Sequence, residues 1–168
     1  MAREWLALSE PAVFGRMKTL ADGTCRAEIV QRLRRLDPTS TRRWGRMSAH
    51  QMVCHLSDGC RMATGSKAVS GASSTFRRTV LKWIVLYAPM RWPAGILTRP
   101  EIDQLCEGTR PTDFDADVAE LEALLEHVAT REPGFPWPVH PLFGRMSRAA
   151  WLRWAYLHAD HHLRQFGA

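Results

Sequence analysis

The sequence predicts an all-α protein, a four-helix bundle with a long irregular connection between its second and third helices. Two observations carry this reading. Four segments repeat apolar residues every three or four positions, the spacing that places them on one face of a helix. Two of those segments also open on a capping serine, each after nearly the same residues: Trp44-Gly-Arg-Met-Ser48 is echoed by Phe143-Gly-Arg-Met-Ser147. A length of 168 residues suits one domain over the whole chain, with one sizeable core.

Residues 1 to 20 read as an irregular or weakly helical arm. The first helix is expected from Thr24 to Leu36, with Cys25, Ile29, Leu33 and Leu36 on one stripe and Asp37-Pro38 stopping it. The second starts at Ser48, where Ser48 and Gln51 form an S-x-x-Q capping box. Its inward stripe is Met52, His55, Leu56, Gly59 and Met62. Ala63 to Thr75 reads as a flexible loop, followed by a short apolar helix from Phe76 to Tyr87. Prolines then break the chain up to Pro111. A connection this long in a compact domain often serves as a lid or pocket wall. The third helix runs from Asp115 to Thr130, with Phe114, Val118, Leu121, Leu125 and Val128 on its stripe. A proline-rich connector leads to the last helix, from Ser147 to Phe166, where Trp151, Ala155, His158 and His162 share a face.

The histidines carry the chemistry. His158 and His162 are four apart, one helical turn, so two imidazoles project together. Counted from the two capping serines, His55 is seven residues on, His158 eleven and His162 fifteen. These are about two, three and four turns. All three therefore fall on nearly the same side of their helices, and His55, His158 and His162 are the candidate metal ligands. Three protein ligands with one open position is the usual catalytic arrangement of zinc. Such an ion polarises a carbonyl or lowers the pKa of bound water or thiol. The alternative is that the three are ordinary hydrogen-bonded core histidines.

Around them, Gln51, Asp58 and Asp160 are candidates to accept the second ring N–H of a ligand histidine. Each is equally well read as a polar group on a helix surface. His161, a quarter turn away, is read as a supporting or exposed residue. His127 and His50 are read as exposed. His140 fits either the site mouth or a turn. Trp151 and Trp154 fit either a pocket wall or the core. No GxSxG, P-loop or dinucleotide fingerprint occurs.

The formal charge is +6, carried almost wholly by arginine. Arginine favours carboxylates and phosphates. No RNA- or DNA-reading motif accompanies the charge, so nucleic acid ranks low as a partner. No stretch is long enough to span a bilayer. Four cysteines without a CxxC pair, and a start with no apolar leader core, point to a reducing cytoplasm.

Three pieces carry a family resemblance: Met47-Ser-Ala-His-Gln-Met-Val-Cys-His-Leu-Ser-Asp58, His140-Pro-Leu-Phe-Gly144 and His158-Ala-Asp-His-His-Leu-Arg-Gln-Phe-Gly167. They resemble the DinB-like and YfiT-like metal-binding four-helix proteins, in a branch of unknown function. The resemblance implies a bundle, often dimeric, with zinc, nickel or a similar ion on His55, His158 and His162. It also implies a low-molecular-weight thiol transferred to an electrophilic small-molecule substrate. A metal-dependent hydrolase of an amide or ester and a non-catalytic metal- or partner-binding bundle are the alternatives. Residues 63 to 112 have no counterpart in it.

Overall fold

The computed structural model describes residues 17–72 and 74–168. The described residues are all-helical, with α1 (Gly23–Leu33), α2 (Ala49–Thr64), a π-helical turn (Arg77–Leu81) running into α3 (Lys82–Tyr87), a 3-10 turn (Pro100–Ile102), α4 (Phe114–Ala129) and α5 (Arg148–Gln165). The expected arm of residues 1 to 20 falls largely outside the described residues. Leu20 is described, and it is buried against α5 through its N–H to Leu152 O, 3.2 Å.

Capping sets the helix starts. Asp22 accepts from Thr24 N and Cys25 N at the head of α1. Ser48 and Gln51 form the reciprocal box at α2. Asp113 and Ser147 cap α4 and α5. The α1 helix ends three residues before the expected Leu36, where the bonding tightens ahead of Asp37-Pro38. Arg35 N and Leu36 N close tighter turns onto Arg32 O and Leu33 O, which keeps Leu36 in the core.

The helices divide into inner and outer. On α1 and α4 a single stripe is buried, Ile29 and Leu33 on one and Leu121, Leu125, Val128 and Ala129 on the other. By contrast, α2 and α5 are buried nearly all round. The α2 helix packs on α4 and α5, α1 packs on α5 and α4, and α3 lies against α5. A helix enclosed on every side must satisfy its polar side chains internally, so the histidines of α2 and α5 need partners within the protein.

The connection after α2 is pinned, not flexible as its composition predicts. Asp58 is fully buried and accepts from Thr109 N (2.8 Å), Thr109 Oγ1 (2.7 Å) and Gln104 Nε2 (2.9 Å). Lys67 Nζ lies 2.7 Å from it and Arg61 Nη1 3.0 Å. Further along, Ser70 N donates to Glu101 and Ala72 N to Pro141 O. One buried carboxylate thus gathers both ends of the connection onto α2. No helix among the described residues is long and apolar enough to cross a membrane.

Candidate metal centre

Helical phase and packing bring His55, His158 and His162 together. The rings stand edge to face, with centroids 4.9 Å apart for His55 and His158, 4.7 Å for His55 and His162, and 4.9 Å for His158 and His162. One ligand atom from each lies within 4.8 Å of the others. Two nitrogens on one tetrahedral zinc stand about 3.3 Å apart, given zinc–nitrogen bonds of about 2.0–2.1 Å. His55 Nε2 and His158 Nε2 are 3.0 Å apart.

The outer nitrogens of two rings are already committed. His55 Nδ1 lies 2.7 Å from Ile102 O, an acceptor with no proton to give. His55 therefore donates there, which leaves its Nε2 lone pair facing inward. His162 Nδ1 lies 2.9 Å from Gln165 Oε1, while Gln165 Nε2 donates to Trp44 O at 2.8 Å. The second bond fixes the amide's orientation, so His162 Nε2 is also bare. With two inward lone pairs, a proton on His158 or a shared cation is what makes the 3.0 Å contact favourable.

Burial pushes all three imidazoles below their ordinary pKa, His158 and His162 strongly, since charging a ring in this interior costs solvation. His158 and His162 are repelled further by neighbouring rings when charged. Neutral imidazole is the metal-binding form, so the environment holds the rings ready as ligands.

The packing around the rings fits this role. Trp154 stacks on His158 at 4.7 Å with planes 23° apart. Gly59 faces the same ring: a Cβ there would lie 3.1 Å from His158 Nδ1 and 3.0 Å from Cε1. Trp92, from the long connection, covers His158 and His161. A cleft of about 340 Å³ runs beside the centre, walled by Trp44, Met47, Ile96 and Leu105. Of the three rings, His162 is the one that lines it.

The supporting residues differ from those expected. Gln51 is spent on the capping box, Asp58 on the connection, and Asp160 on Arg32 and Arg164 at 2.7 and 2.9 Å. None hydrogen-bonds His55, His158 or His162; Ile102 O and Gln165 do. His161 is buried between Trp44 and Trp92 and lines the cleft, not exposed. His140 is a turn residue: its Nδ1 accepts from Leu142 N and Phe143 N, and its backbone pairs with Gly144. Burial lowers it to about 3. Trp151 is core, whereas Trp154 serves the core and the site together. His127 is exposed beside Arg131.

His50, expected in water, is largely covered and lies 2.7 Å from Asp117 Oδ2. With Cys54 it forms a second cluster of possible ligands. Its atoms already make a hydrogen-bonded tie between α2 and α4, joined by Thr112 N at 3.0 Å. Burial, then the Asp117 charge, push the Cys54 thiol up to about 12, so it is a neutral donor.

The pattern extends over almost the whole described chain, residues 22–168, which match a family described as proteins of unknown function. The chain belongs to the DUF1569 family. No curated protein and no solved structure matches it. The DUF1569 match spans every residue of the centre, its two ring acceptors and the cleft walls.

Proposed function

We propose that this DUF1569 protein is a metal-dependent enzyme built as a DinB-like four-helix bundle. In this reading His55, His158 and His162 hold zinc or nickel, and the enzyme transfers a low-molecular-weight thiol to an electrophilic small molecule. One observation carries it: His55 and His162 have their outer nitrogens tied down, and they cluster with His158 so that one ligand atom of each lies within 4.8 Å of the others. A divalent ion so held lowers the pKa of a thiol or water at its open position.

The chain supplies the rest. Ile102 O and Gln165 orient the rings, and Trp92 and Trp154 shield them from water. Arg46 lines the cleft with its side chain 79% exposed and only a 3.9 Å approach to Asp103, so its guanidinium could also meet a carboxylate of the thiol or acceptor. In the reaction the thiol proton leaves to solvent and its sulfur bonds to the electrophilic carbon. The bond from that carbon to the leaving group then breaks, and the leaving group keeps the electron pair. Cys25, Cys54, Cys60 and Cys106 are free thiols, which suits a reducing cytoplasm.

Elemental mass spectrometry and a thiol–electrophile screen test the proposal. Near-stoichiometric zinc or nickel, lost in His158→Ala/His162→Ala with helicity kept, supports it when turnover also requires added thiol. Turnover without thiol points instead to hydrolysis of an amide or ester. Metal retained by the double variant, or no uptake on reconstitution, sinks the metal reading and leaves a non-catalytic binding bundle.

A further inference from the structure

The face farthest in character from the histidine centre is the outer side of the π-turn and α3. Phe76, Val80, Trp83 and Tyr87 follow one another at helical spacing and are 60%, 49%, 63% and 38% exposed. Met90 continues the patch at 59%. The opposite side of the same segment carries Leu86, which is buried, and Leu81 and Val85, which pack on the core. The segment is thus apolar on two sides, and one of them meets no described residue that covers it. Scattered exposed apolar residues are ordinary, but a contiguous aromatic stripe marks an interaction surface.

Charge identifies the partner. Residues 59–100 contain seven lysines and arginines and no aspartate or glutamate. Arg61, Lys67 and Arg99 sit beside Asp58, Glu120 or Glu101. Arg77, Arg78, Lys82 and Arg91 pair with no carboxylate among the described residues. Beside the stripe, a groove of about 450 Å³ is lined by Arg78, Lys82, Arg145, Val139, Phe143 and Gly144. Three cations and no acid line it. Gly144, at φ 67°, lets the Arg78 side chain lie on the loop backbone, where a Cβ would approach its Cδ to 2.9 Å. Lys82 Nζ donates to Arg145 O at 3.2 Å, which holds that ammonium at the groove.

We propose that this face docks the protein on an anionic lipid bilayer, with Phe76, Val80, Trp83, Tyr87 and Met90 entering the headgroup–acyl boundary and the groove cations meeting lipid phosphates. Tryptophan and tyrosine favour that boundary, and a cationic fringe on an amphipathic helix adds attraction to acidic lipids. Two copies meeting through the stripe would bring their unpaired cations together. A nucleic acid would satisfy the cations and leave the apolar stripe in water.

The test is co-sedimentation of the full chain with phosphatidylcholine vesicles and with equimolar phosphatidylcholine–phosphatidylglycerol vesicles. Partition onto the acidic vesicles is expected to exceed that onto neutral ones by roughly tenfold or more and to weaken with salt. Phe76→Ala/Trp83→Ala and, separately, Arg78→Glu/Lys82→Glu are expected to reduce it by a similar factor. Phe76, Arg78 and Trp83 are exposed and Lys82 is half-buried with one bond to Arg145 O, so thermal unfolding should move little. Failure of the folded chain to bind acidic vesicles overturns the proposal, as does equal binding to both kinds. It is also overturned if sedimentation velocity finds a dimer that Phe76→Ala/Trp83→Ala dissolves, or if a fluorescent RNA binds at salt that abolishes vesicle binding.

Discussion

His55 Nε2 and His158 Nε2 face each other at 3.0 Å across the packed pair α2 and α5, in an interior that disfavours a charged imidazole. With the His55 proton committed to Ile102 O, the contact has room for one proton or one cation. A metal ion there would replace the one proton that His158 shares with His55 and leave the outer bonds to Ile102 O and Gln165 Oε1 intact.

Metal uptake should therefore stabilise the fold. A ligand that binds only the folded chain adds about 4 kcal/mol at a thousandfold excess over Kd. Zinc or nickel should raise the unfolding midpoint of the metal-stripped protein, and chelator should reverse it. In His158→Ala the rise should vanish. Calorimetry that shows the same rise in the variant would place the metal elsewhere.

Gln165 is the next test, because it holds His162 with one amide atom and Trp44 O with the other. Gln165→Leu removes both bonds, and supporting partners of this kind are worth 10–100-fold in metal affinity. Gly45→Ala should act through the same residue. Gly45 sits at φ 79°, and a Cβ there would lie 2.4 Å from Gln165 Nε2. Competition titration against a zinc chelator reads both. Unchanged affinity in Gln165→Leu would show that the His162 ring needs no such hold.

What was legible in the sequence were features local to one helix. The Ser48–Gln51 box and the Ser147 cap fixed where α2 and α5 begin, and helical phase then aimed His55, His158 and His162 the same way. Contacts made by backbone from elsewhere were not. The acceptor for His55 is a main-chain oxygen of Ile102, 47 residues away in an irregular segment. The burial of His161 depends on Trp92 from the same segment. Gln165 and Gly59 did have a signal: each lies three or four residues from a site position on its own helix, and a mid-helix glycine usually has a packing reason.

That glycine separates stability from binding. Alanine in a helix interior gains about 0.5–1 kcal/mol over glycine. At Gly59 the added methyl must shift the His158 ring, which is stacked on Trp154, and it would itself lie 3.5 Å from Trp154 Cη2. Gly59→Ala should keep the stripped fold within about 1 kcal/mol of the parent while weakening metal binding by roughly tenfold. Parental affinity would mean that the ring has slack.

Asp58 concerns the connection. Burial alone would raise its pKa, but Lys67 and the two Thr109 donors outweigh that and hold it ionised, below the usual carboxylate range. Removing one partner of a buried ion pair costs about 3–5 kcal/mol. Asp58→Ala should sit near the lower end, since Lys67 and Arg61 keep some contact with water. It should also free residues 63–112 for limited proteolysis and, through Ile102, loosen His55. A variant as protease-resistant as the parent would show that the connection is held by its own packing.

The acid limb of stability should carry the mark of His140. Its Nδ1 accepts two backbone N–H groups, so the folded ring is neutral, and burial lowers it to about 3. The unfolded chain protonates it near the ordinary value of about 6.5. Above that pH both states are neutral and the full stability is present. As pH falls from 6.5 toward 3, the unfolded state alone takes up the proton, and stability drops by about 1.4 kcal/mol per pH unit. Asparagine can accept the same turn N–H groups without titrating. Urea unfolding of metal-stripped protein at pH 6.5 and pH 5 should therefore show His140→Asn losing about 2 kcal/mol less than the parent. The other histidines titrate alike in both proteins and cancel. Equal losses would mean that His140 is protonated in the folded state, and that its two backbone bonds break in mild acid.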